Sequence, residues 1–169
     1  HIGANLELSG AVATYGSSIA EGIDLAVEEI NESGGIDGMQ IKVTKVDNKS
    51  DAAEATNGAI KLTSQDQVTA IIGAATSGNT LAQAEIANDT ETILLSPSAT
   101  APNVTVNEDG SLNEYVFRTS YIDPFQGTIA ANFALDELGV KTAAIYADNA
   151  SDYAKGLGEA FKETFETGG

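Results

Sequence analysis

The feature that most narrows the fold of this chain is an alternation. Short apolar runs are separated by longer stretches whose apolar residues recur at helical spacing. Ile2 to Leu8 reads as a first strand, broken at Ser9-Gly10. Ile19, Ile23, Val27 and Ile30 then share one face of a helix predicted from about Ser17 to Asn31, and Ser33-Gly34-Gly35 terminates it. A second strand is expected from Gln40 to Val46. Asp51, with Glu54 three residues on, reads as a cap opening a helix to about Ser64. Strands at Val68–Ile72, Thr92–Leu95 and Tyr115–Arg118 follow, with a helix from Thr80 to Asn88 between the first two. The pattern then resumes with a helix from about Asp123 to Leu138 and a strand from Thr142 to Ala147. A last helix carries Tyr153, Leu157, Phe161 and Phe165. Strands that alternate with helices imply right-handed crossovers, hence an α/β fold with a doubly wound parallel sheet.

Composition agrees with that class. The 169 residues suit one domain or a little more. Ala, Ile, Val and Leu dominate the apolar set, with 17 Gly and no Trp, which favours helices packed closely on a buried sheet over a β-sandwich. No run approaches the roughly 20 apolar residues of a membrane span. No leader-like stretch precedes the first strand, so a mature or trimmed product is expected. The lack of cysteine excludes disulfides, thiolate metal sites and cysteine catalysis, and leaves the compartment open. With 25 acidic against 8 basic residues, the net charge of −17 argues against nucleic acid and anionic membranes as partners. The acids read as a solvated surface, including Glu21 and Glu28-Glu29 on the polar side of the first helix.

In open α/β sheets, ligands bind beyond the carboxyl ends of the strands. Three loops fall there: Ser9 to Gly16, Gly73 to Thr80 and Ser96 to Thr100. All are small, hydroxyl-rich and uncharged. Ser77 and Thr100 each offer a hydroxyl and a nearby backbone donor, which suits a carboxylate, and the Ser98 carbonyl suits an ammonium. Uncharged dipoles of this kind hold both ends of a zwitterion. Taken singly, Ser77, Asn79 and Thr100 read equally as caps and turn residues. Tyr15, beside Gly16 in a predicted loop, is a candidate pocket wall or a packing residue. Catalytic sets are poorly supported. The single histidine is His1 at the terminus, and neither a Ser-His-Asp set nor a phosphate-binding loop can be assembled. Asp47 to Asp51 lacks the glycine and terminal glutamate of a calcium loop and reads as turn and cap. No metal and no cofactor are implied.

Six stretches resemble the periplasmic-binding-protein type I family, and within it the leucine/isoleucine/valine-binding proteins of ABC transporters. They are Gly10–Gly16, Ile30–Gly38, Ala75–Thr80, Leu95–Thr100, Phe117–Thr119 and Asp148–Leu157, in the family's order along the whole chain. The resemblance implies that Ser77 and Thr100 hold a ligand's α-carboxylate. Ser98, through its carbonyl, and Thr100 would help hold its α-ammonium, with Ala99 between them among the ligand-binding residues, while Tyr15 lines the side-chain pocket and Tyr153 approaches from a second lobe. It further implies a solute-binding component of an amino-acid importer, not an enzyme. A branched-chain amino acid and a membrane ABC permease would be its partners, in an extracytoplasmic setting, periplasmic or as a cell-surface lipoprotein. A receptor ectodomain, or an amide- or peptide-binding relative, shares the same fold. Residues 1–119 would form lobe one and 120–169 the incomplete start of lobe two, since the family's ammonium-binding acid lies beyond Gly169. A lone strand at Thr142–Ala147 cannot form its own sheet. A separate second half, self-association of the fragment, or addition to the first sheet would each resolve that.

Overall fold

A computed structural model describes residues 1–168. Five parallel strands form one sheet: β1 (Ile2–Leu6), β2 (Val43–Asp47), β3 (Ala70–Gly73), β4 (Ile93–Ser96) and β5 (Val116–Arg118). Their spatial order is β2-β1-β3-β4-β5. Helices α1 (Ala13–Glu32), α2 (Ala52–Ile60) and α3 (Ser77–Asp89) connect the first four strands. Chain order reverses between β1 and β3, and such a switch point opens a crevice at the carboxyl ends of the two strands.

Period-two alternation sends the residues of β1 to opposite faces. Ala4 and Leu6 pack with Ala20 and Ile23 of α1 on one side. On the other, Gly3 makes room for Leu62, and Asn5 donates to the Ala55 carbonyl over 2.7 Å. The larger core lies on this second face, where Ile71 of β3, Leu94 of β4 and Val116 of β5 meet Ala59, Leu62, Ala84 and Ala87. The small residues of α2 and α3 let both helices lie close to the strands. The expected doubly wound arrangement is therefore present.

The predicted cap of α2 is also present, with the Asp51 carboxylate accepting from Glu54 N over 3.0 Å. Several boundaries differ. The chain turns helical at Ala13, not Ser17, so Tyr15 sits in the first turn of α1 rather than in a loop. Likewise α3 begins at Ser77, and Ser77, Asn79 and Thr80 all occupy its first turn. The second strand starts at Val43, after Ile41 N–H is taken by the Asn31 side chain over 2.7 Å.

Beyond β5 the chain enters α4 (Asp123–Asn132), whose last turn loosens to a π-helical one over Phe133–Glu137, and later α5 (Asp152–Gly168). These two helices pack tightly, because an added Cβ at Gly127 would lie 2.6 Å from the Ala160 Cβ. Phe161 and Phe165 stack at 5.6 Å on α5. The expected strand at Thr142–Ala147 does not form. The segment is exposed and unpaired, with Tyr146 standing free in solvent. Its composition suits a strand, but a strand exists only through a neighbour's ladder. All five paired strands belong to the one sheet, which this segment does not join.

Gly16 lies where α1 crosses the end of β1, and a Cβ there would collide with the Glu7 backbone. Gly22, on the same helix, has open space around it. Gly22→Ala is expected to stabilise the fold by about 0.5–1 kcal/mol. Gly16→Ala should cost stability, because the obstacle is backbone that cannot rotate away. Urea unfolding of both variants checks the pair, and equal effects would contradict the close approach.

Candidate functional site

Three loops leave the carboxyl edge of the sheet around the switch point: residues 7–12 after β1, 74–76 after β3 and 97–101 after β4. Glu7, one residue past β1, is fully buried. Its carboxylate accepts from Ala75 N at 2.9 Å, Thr76 N at 3.1 Å, Thr76 Oγ1 at 2.8 Å and Asn79 Nδ2 at 2.9 Å. A buried carboxylate is costly unless its lone pairs are filled, and here neutral donors from one loop fill them.

The loops after β3 and β4 are joined through hydroxyls. Ser96 Oγ donates to the Ala74 carbonyl over 2.8 Å, and Ser98 Oγ donates to the Ala75 carbonyl over 2.7 Å. Ser77 Oγ accepts from Ala101 N over 3.2 Å, which leaves its own proton free to be donated outward. Arg118, at the end of β5, gathers the Ala99, Ala101 and Pro102 carbonyls with its guanidinium. On the β1 side, Asp47 accepts from Leu8 N, Ser9 N and Ser9 Oγ. Partial burial pushes its carboxyl up, but the hydrogen bonds from Ser9, Lys49 and Leu8 outweigh this and hold it below the usual carboxylate value. Its turn, read from sequence as turn and cap, thus fastens the loop that leads into α1.

Of the residues expected in a site, Ser77, Ser98, Ala99 and Thr100 are brought together on the adjacent loops after β3 and β4. Ser77 and Thr100 are nearly buried, at 3% and 8% exposure. Ser98 is exposed, with its hydroxyl spent on Ala75 and its carbonyl without a partner among the described residues. Ala99 is buried, and its carbonyl is taken by Arg118 and Ser120. The N–H groups of Ser77, Gly78 and Asn79, at the start of α3, likewise hold no partner among the described residues. Tyr15 projects from the first turn of α1, 65% exposed. Tyr153 opens α5, which reaches the same helix end: a Cβ at Gly78 would lie 3.4 Å from Asp152 Oδ2.

Two functional candidates escaped the sequence reading. Glu7 was absorbed into a strand, although an acid between Leu6 and Leu8 in a buried parallel strand is itself a signal. Asp123 was read only as a helix start. It is fully buried, and among the described residues neither carboxylate oxygen meets a partner within hydrogen-bond geometry. Its N–H donates to the Thr100 carbonyl over 3.0 Å, and its Oδ2 would lie 3.1 Å from a Cβ at Gly156 of α5. Burial raises its pKa above the ordinary 3.8, and the nearby Thr100 side chain and Arg118 charge only partly oppose this. Burial in turn lowers that of Arg118, with Asp123 opposing.

The chain is thus a doubly wound α/β unit whose switch-point edge presents uncharged donors and acceptors. The chain belongs to the periplasmic binding protein family, whose model matches residues 1–169. It is 33% identical over 168 residues to the Leu/Ile/Val-binding protein BraC3 of Rhizobium johnstonii, an alignment spanning 99% of this chain and 44% of that protein. Among solved structures it is similar to the branched-chain amino acid transporter substrate-binding protein LivJ of Streptococcus pneumoniae, in complex with isoleucine. That match has a TM-score of 0.90 and 44% identity, over 98% of this chain and 46% of LivJ. The leucine-binding protein LivK of Thermotoga maritima gives a TM-score of 0.89 and 32% identity, over 99% and 46% respectively. The chain thus spans less than half the length of these relatives.

Because the folded Asp123 holds its proton more tightly than an unfolded one, its contribution to stability is present below about pH 4 and lost as pH rises through the raised value. Asp123→Asn should therefore raise the thermal midpoint at pH 7 and gain little at pH 4. A variant less stable than the parent at pH 7 would show that the ionised carboxylate is favourable after all.

Proposed function

We propose that this chain is lobe one, residues 1–119, and the opening of lobe two, residues 120–169, of a solute-binding protein serving an amino-acid ABC importer. A branched-chain amino acid is the solute we infer. The observation that carries the reading is the set of unspent groups at the switch point. The Ser77–Asn79 N–H groups and the Ser77 proton, which have no acceptor among the described residues, would receive a carboxylate, and the unpaired Ser98 carbonyl would receive an ammonium. The Thr100 hydroxyl, beside the Asp123 carboxylate but in no hydrogen bond of standard geometry among the described residues, would serve either end. Helix N-termini favour anions, so the carboxylate end needs no charged side chain of this lobe, while the second lobe would complete the ammonium's partners.

Tyr15 and Tyr153 would close over an aliphatic side chain from the two lobes. Lobe one takes the polar head first, and lobe two then swings in by a hinge after Arg118, where the chain leaves the sheet. The closed form is what a membrane permease would receive, at an extracytoplasmic face. The protein then works by capture and release rather than by catalysis. Its similarity to the isoleucine-bound LivJ supports both the fold and the ligand class.

Thr100 carries the most weight in this scheme, since it would meet both charged ends. In the two-lobed protein, Thr100→Val is expected to weaken leucine binding by about 2 kcal/mol or more, from polar ligand atoms left unpaired in a closed site. Calorimetric titration measures it, with the thermal midpoint as the control for folding. Unchanged affinity in a folded variant would remove Thr100 from the site and the zwitterion scheme with it.

A further inference from the structure

Thr76 stands at the N-cap of α3 with an extended backbone, φ −94° and ψ 151°. A threonine there ordinarily turns its oxygen onto the N–H two or three residues on and closes the helix end. Here it makes no such bond. The hydroxyl instead donates to Glu7 Oε1, which also draws the Asn79 side-chain amide. The Gly78 and Asn79 N–H groups, the two that Thr76 would have capped, stay without a protein partner among the described residues. Helix α2 gives the contrast within one molecule, since Asp51 caps it at Glu54 N.

We propose that Glu7 is a positioning residue for ligand binding: it draws the Thr76 hydroxyl away and keeps the α3 N-terminus open for the ligand's carboxylate. The role rests on the reading that this helix end receives that carboxylate. A carboxylate suits the task because every group facing it is a donor. A glutamine would turn its own NH₂ toward one of them and release at least one bond. The hydroxyl set free would then rotate onto Gly78 or Asn79 and compete with the ligand. Glu7 also places a negative charge near the bound carboxylate, which opposes binding, so the net sign of its effect is informative.

The test uses the two-lobed protein with leucine as the probe. Glu7→Gln is expected to weaken leucine binding about tenfold or more, through loss of charge-assisted bonds that order the loop and through the competing cap. Adding Thr76→Val to Glu7→Gln should recover about threefold or more, because the competing hydroxyl is gone, while thermal stability does not recover. A merely structural role for Glu7 would make the double variant worse on both counts. Tighter binding in Glu7→Gln, which means charge repulsion dominates, or no recovery in the double variant, overturns the proposal.

Amide hydrogen exchange supplies an arm that needs neither the variants nor the ligand. The Gly78 and Asn79 amides of the free parent protein should exchange without protection, and slow exchange there overturns the proposal. If the parent binds no branched-chain amino acid, the functional reading fails, and exchange at these two amides still decides whether the helix end is held open.

Discussion

A hydroxyl at the end of β4, one just beyond it and one at the start of α3 fasten two loops into a single plate, and the candidate site depends on that fastening. Ser96 and Ser98 each donate to a carbonyl of the loop after β3, and Ser77 accepts from the loop after β4. Arg118 collects the remaining carbonyls beneath. Buried backbone groups must find partners, and once these bonds are made the loops have little freedom left. What remains unspent among the described residues is a small set of donors at the start of α3 and the Ser98 carbonyl. Preorganisation of this kind spares a ligand the cost of ordering the loops when it binds.

The two buried acids at this edge behave differently for a clear reason. Glu7 sits in a nest of four donors, three from the loop after β3 and one from Asn79 in the first turn of α3. Asp123 is equally buried and finds no partner of standard hydrogen-bond geometry among the described residues, so burial pushes its pKa up against the weaker pull of Thr100 and Arg118. Its position is where the chain leaves the sheet, between the Thr100 carbonyl and Gly156.

Much of the fold was legible because it rests on periodicity. Ile19 and Ile23 marked the inner face of α1, Asp51 with Glu54 marked the start of α2, and the strand–helix alternation implied the parallel sheet. The failures share a cause, which is that they depend on partners distant in sequence. Thr142–Ala147 has a strand's composition and no ladder to join. Tyr15 seemed to lie in a loop because Gly16 resembles a breaker, whereas that glycine is there to let a helix cross the Glu7 backbone. Ser77, Ser98, Ala99 and Thr100 fall together as the small, hydroxyl-rich loops suggested. Nothing local to Glu7 announced that it would meet a loop some seventy residues on.

The central claim is that uncharged groups at the switch point hold the carboxylate, and help hold the ammonium, of a branched-chain amino acid whose aliphatic side chain lies between Tyr15 and Tyr153. The most direct test is calorimetric titration of the two-lobed protein with each of the twenty amino acids, alongside leucinamide and 4-methylpentanoate. The account predicts selective binding of leucine, isoleucine or valine and a large loss when either charged end is removed. Binding of 4-methylpentanoate as tightly as leucine, or no binding of any amino acid by the folded protein, would contradict it.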